Sequence, residues 1–191
     1  MQARFRSSRG FSLAEVLVSM GLLTTVSLGV AQLFALSTLA NYTARGQTST
    51  TAMAQQKMEQ LRALTWGFDA DGQGLPVTDT STNLSVEPPS AGGSGLNPSP
   101  ASSLDESIAG LVDYLDANGV YVGTGTVPPD GSVFIRRWSI QPLPTNPNNT
   151  IVLQVLVTAI ASEANRAPGP GPRRRLPGDA VLVSVKSRKA Q

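Results

Sequence analysis

Between Phe11 and Ala40 the chain carries a single ionisable side chain, Glu15, in a run otherwise made of apolar and small residues. A helix needs about 20 predominantly apolar residues to cross a bilayer, and this run exceeds that length. Arg4, Arg6 and Arg9 stand on its N-terminal side. Basic residues stay on the cytoplasmic side of a span, so the expected orientation is N-terminus in the cytoplasm and the remainder outside. Whatever follows the run must then fold outside the membrane.

A secretory signal peptide shares the basic start, but its apolar core is only about 7 to 15 residues long and gains nothing from a carboxylate. An acid costs a few kcal/mol at the centre of a bilayer, so Glu15 calls for a cationic partner. The stretch Arg9-Gly10-Phe11-Ser12-Leu13-Ala14-Glu15-Val16-Leu17 closely resembles the processing site of type IV prepilins and type II secretion pseudopilins. That pattern is a short basic leader ending in Gly, then Phe, then Glu at the fifth mature position, then an apolar helix.

The resemblance implies a set of roles. An inner-membrane prepilin peptidase would cut between Gly10 and Phe11 and methylate the new amino group of Phe11. Glycine suits the cut because it leaves an extended, unhindered backbone. Glu15 would pair with the Phe11 amine of the same or a neighbouring subunit and so fix axial register in a low-dielectric helix bundle. The implied partners are other pilin or pseudopilin subunits and an inner-membrane assembly platform. The implied location is a single-pass precursor in the inner membrane, then a periplasmic or extracellular filament. Two departures stand out: the C-terminal disulfide of many pilins is ruled out by the absence of cysteine, and the apolar helix has no proline, leaving Gly21 and Gly29 as its weak points.

The same absence of cysteine removes thiol chemistry, and the absence of histidine removes the usual proton shuttle and the commonest metal ligand. The formal charge of +2 depends on the leader: without Arg4, Arg6 and Arg9, the 15 basic residues fall to 12 against 13 acidic ones, or −1. That is no general polyanion binder.

Residues 41–66 lack proline, and Ala54, Met58, Leu61 and Thr65 recur at helical spacing. The expectation is one stalk helix over 11–66, membrane-spanning over 11–40 and about 80 Å long if continuous, whose second half lays an apolar stripe on a sheet. Residues 67–108, dominated by Gly, Pro, Ser, Thr and Asn, read as a mobile loop with at most a short strand near 82–86. Residues 109–191 read as an antiparallel head. Runs at 111–115 and 120–122 flank Asn118-Gly119, a strong hairpin dipeptide, and longer β-branched runs follow at 132–141, 150–160 and 180–187. The fold class is therefore α+β, a leader of 1–10 and a long helix packed on an antiparallel meander. The order Tyr114-Leu-Asp, then Phe134-Ile-Arg-Arg-Trp138, then an apolar strand also looks loosely like minor pilins of the fimbrial modification group.

Other motifs are local. Asp69-Ala-Asp71-Gly and Asp113-x-x-Asp116-x-Asn118-Gly offer oxygens to a calcium ion but lack the full ligand series, so they read as turns and no metal or other cofactor is assigned. Arg173, Arg174 and Arg175 form a basic run that offers a contact to DNA or anionic lipid, without interleaved aromatics. Arg136 and Trp138 share one strand face and Arg137 takes the other, with Trp138 expected in the core beside the Arg136 stem. Glycan sequons stand at Asn41, Asn83 and Asn148. No nucleophile and base, paired carboxylates or phosphate loop appears in the head, which favours a structural subunit, pilin or pseudopilin, over a membrane-anchored enzyme or ligand- or DNA-binding domain.

Overall fold

The computed structural model describes residues 10–68, 76–164 and 175–188, and the chain divides into two compact units, Met1–Tyr42 and Thr43–Gln191. Helix α1, Leu13–Ala63, contributes to both. Ser12 caps its start: the Ser12 hydroxyl accepts the Ala14 N–H at 3.2 Å, and its carbonyl takes the Val16 N–H at 3.1 Å. Within the first unit Leu13, Leu17, Leu22, Val26, Leu33 and Phe34 are all exposed, on every side of the helix. A helix apolar all round is stable only when lipid or other helices cover it. Three of its hydroxyls are turned back onto the helix, since Thr24, Thr25 and Thr38 each donate to the carbonyl four residues back, which lowers the cost of placing a hydroxyl in an apolar medium.

In the second unit α1 becomes one-sided. Met53, Ala54, Met58 and Leu61 are buried against a sheet, as the stripe predicts. The helix stops at Ala63, however, and Thr65 is exposed while Leu64 and Trp66 are buried. The side chain of Lys186 supplies the stop by donating to the carbonyls of Arg62, at 2.7 Å, and Leu64, satisfying acceptors that the helix end leaves open.

The sheet is formed by β5 (Val112–Leu115), β6 (Tyr121–Thr124), β7 (Phe134–Pro142), β8 (Thr150–Ala159) and β9 (Ala180–Ser187). Every neighbouring pair is antiparallel, in the order β6-β5-β7-β8-β9. This departs from a simple meander: β5 lies between β6 and β7, so the first hairpin folds outward and makes β6 an edge. The Asn118-Gly119 turn sits where expected, with Gly119 at φ +80°, a conformation that costs other residues free energy. Ile151, Leu153, Val155 and Val157 of β8 alternate along the face that packs on α1 and are fully buried. The short helix α2, Ile160–Ala164, follows β8, and Ile160 packs on Val112, Tyr114 and Ile135 across the opposite face.

The stretch read as a loop has more structure than its composition suggested. Two small ladders form, β1 (Trp66–Phe68) with β2 (Pro76–Thr78) and β3 (Thr82–Asn83) with β4 (Ser90–Ala91). Its few leucines do the packing: Leu84 and Leu96 join the core with Leu111. The layout is α+β, a long N-terminal helix followed by a five-stranded antiparallel sheet, and it fits the pilin fold.

Candidate functional site

Gly10 and Phe11 precede the first turn of α1, and both are exposed, Phe11 by 83 %. A Cβ at Gly10 would meet nothing within 4 Å, and its φ lies outside the left-handed region. None of the described residues therefore requires glycine there. Glu15 stands in the first helical turn, three residues after the Ser12 cap, where a carboxylate complements the unpaired N–H groups and the positive end of the helix dipole. This place at the helix start was not drawn from the sequence, which gave Glu15 only as a partner for the Phe11 amine, although Ser12-x-x-Glu15 is the spacing that signals it. Arg4, Arg6 and Arg9 lie outside the described residues.

The other candidates separate. Arg173 and Arg174 lie outside the described residues, as do Asp69 and Asp71. Arg175 is exposed and stands 3.9 Å from Asp105. Asp116 is spent on its turn: Oδ1 accepts the Asn118 and Val120 N–H groups, each at 2.8 Å. These backbone donors, Val120 first, hold its pKa below the ordinary carboxylate value. Asp113, three residues earlier, points to the other side of the problem, into the core beneath α1.

There it joins a group of charges that went unnoticed in the sequence. Lys57 and Asp113 are each 1 % exposed, with Nζ 2.7 Å from Oδ2. Arg136, fully buried, forks onto the same carboxylate through Nε at 2.8 Å and Nη2 at 2.9 Å. Its Nη1 donates to the Met53 carbonyl and to Gln56 Oε1, both at 3.1 Å. Trp138 is buried beside the Arg136 strand position, as expected, and its ring also faces the Lys57 ammonium at 4.6 Å. Arg137 takes the opposite face and pairs with Glu163 at 3.0 Å. The missed signal was available: Lys57 falls between Ala54, Met58 and Leu61 on the apolar stripe, where a solvated lysine has no place.

Comparison with curated proteins and with solved structures finds no match. The opening of the chain does match a known signature, and it is the stretch that holds Gly10, Phe11, the Ser12 cap and Glu15 at the start of an exposed apolar helix: residues 5–31 carry the prokaryotic N-terminal methylation motif, which is type IV pilin-like.

Proposed function

We propose that the chain is a minor pilin or pseudopilin, a structural and non-catalytic subunit of a type IV pilus or a type II secretion pseudopilus. The observation that carries this reading is the methylation motif over residues 5–31 at the head of a helix long and apolar enough to cross a membrane. The precursor waits in the inner membrane with its N-terminus in the cytoplasm. Prepilin peptidase cuts between Gly10 and Phe11 and methylates Phe11. The freed amine then meets Glu15 of the same or a neighbouring chain, a contact in which each charge relieves the other's desolvation. Other subunits and the inner-membrane assembly platform take up the helix, and its exposed leucines and valines pass from lipid into a bundle of like helices. The β-sheet unit supplies the surface that distinguishes this subunit from others.

The test is co-expression with a prepilin peptidase, followed by intact mass and N-terminal sequencing. The expected product begins at Phe11 and carries one methyl group. A retained leader, or a cut at another bond, refutes the proposal.

A further inference from the structure

The buried charges of the head are unevenly shared. Asp113 accepts from both nitrogens of the Arg136 fork and is thereby satisfied as an anion. Lys57 is a second cation on the same carboxylate, 2.7 Å from Oδ2. Its remaining contacts are the Leu84 carbonyl at 2.6 Å and the Trp138 ring. Glu87, one-third exposed at the rim, stands 3.7 Å from Arg136 Nη2 and supplies the fourth charge. Burial holds the Lys57 pKa below its usual value, against the opposing pull of Asp113. In so dry a setting the neutral amine gains on the ammonium. A neutral amine held in contact with a carboxyl group is a nucleophile fixed against its electrophile, the arrangement that replaces the entropy cost of a bimolecular encounter.

The geometry points to an intramolecular amide bond between Lys57 Nζ and Asp113 Cγ. A proton first passes from the Lys57 ammonium to Asp113 Oδ2 across the 2.7 Å contact. The amine lone pair then forms the Nζ–Cγ bond while the carbonyl π pair moves onto Oδ1, where the Arg136 guanidinium stabilises the oxyanion. As the pair on Oδ1 returns, the Cγ–Oδ2 bond breaks. Its electrons leave with Oδ2, which takes a second proton from Nζ across the same contact. Ammonium plus carboxylate become amide plus water, with no oxidant or other reagent consumed. What remains is balanced: Arg136 faces Glu87, and neither Lys57 nor Asp113 keeps a buried charge. The bond ties α1 to β5 in a chain that has no cysteine with which to make a cross-link.

The proposal stands apart from the filament reading and is tested on the full wild-type chain. Electrospray mass of the purified, denatured protein is expected to fall one water below the mass calculated for the N-terminus actually found. Protease digestion should give one branched peptide joining Lys57 to Asp113 in place of the two linear ones. Lys57→Ala and Asp113→Ala should each restore the full mass; if neither variant folds, the wild-type digest decides alone. Full mass with both residues in linear peptides overturns the proposal, and so does a missing water mapped to any other pair.

Discussion

Replacing Arg188 with alanine should loosen the end of β9 from β1. Its guanidinium lies 4.0 Å from the centre of the Trp66 ring and 5.2 Å from that of Phe68. Nη1 donates to the Gly67 carbonyl at 2.9 Å, and Nε donates to the carbonyl of Asn148. Hydrogen bonds to charged groups contribute about 1.5 to 3 kcal/mol when enclosed. Arg188 is only half-buried, so about 1 kcal/mol apiece is the fitting figure after solvent screening. A cation over a partly exposed ring adds about 0.5 to 1 kcal/mol. The sum is about 2 to 3 kcal/mol, a fall of about 5 to 10 °C in melting temperature for a unit of this size. The assay is urea and thermal unfolding of a soluble fragment beginning at Thr43, the start of the second compact unit. Arg188→Lys should recover less than half of the loss, because an ammonium neither forks between two carbonyls nor stacks flat on indole. A loss below about 0.5 kcal/mol in the alanine variant, the range of ordinary surface changes, would refute the clasp. Full recovery by lysine would show that a point charge at this position suffices.

Three further outcomes follow from other parts of the chain. Glu15→Ala should leave cleavage after Gly10 intact yet remove the subunit from sheared filaments, and equal incorporation of variant and wild type would assign Glu15 to the helix start alone. Gly119→Ala should destabilise the second unit by about 1 to 3 kcal/mol in urea unfolding, the cost of a non-glycine residue at positive φ, since the new Cβ also meets Met53 Cε at 3.1 Å; an unchanged midpoint would contradict the turn geometry. Asp116 has a folded pKa below its ordinary 3.8, so its contribution is present above that value and is lost as pH falls through the folded pKa. Asp116→Asn should therefore flatten the loss of stability below about pH 4, read by chemical denaturation across a pH series, and an unaltered acid limb would show that the turn donors do not hold the charge.

The features legible in the sequence were those set by local periodicity. The apolar run, the Ala54, Met58 and Leu61 stripe, the hairpin at Asn118-Gly119 and the three long strands each declare themselves within a dozen residues. The strand order did not, because β5 pairs with β7 through residues far apart in sequence, Asp113 opposite Arg136 for one. The buried charges escaped for the same reason. Lys57, Glu87, Asp113 and Arg136 come from four separate segments, and only the fold brings them within reach of one another. The N-terminal motif was the most legible part, since the methylation motif and the helix start both lie in a short contiguous stretch. In the segment at 67–108 composition misled: a handful of leucines, Leu84 and Leu96 among them, is enough to fasten a Gly- and Pro-rich stretch to a core built elsewhere.

The order of the sheet bears on how the protein is made. The buried face of α1 shares one core with β5, β7, β8 and β9, and β8 and β9 lie farthest from it along the sequence. Until residues 150–187 have been made, the core to which Met58 and Leu61 belong lacks Ile151, Leu153, Val155, Val157 and Ala180. Were synthesis or export to halt before Ala180, β8 would become an open edge carrying Ile151, Leu153, Val155 and Val157, a template for pairing with a second stalled chain. The interval in which the chain is most exposed to misassembly is therefore set by the arrival of β9.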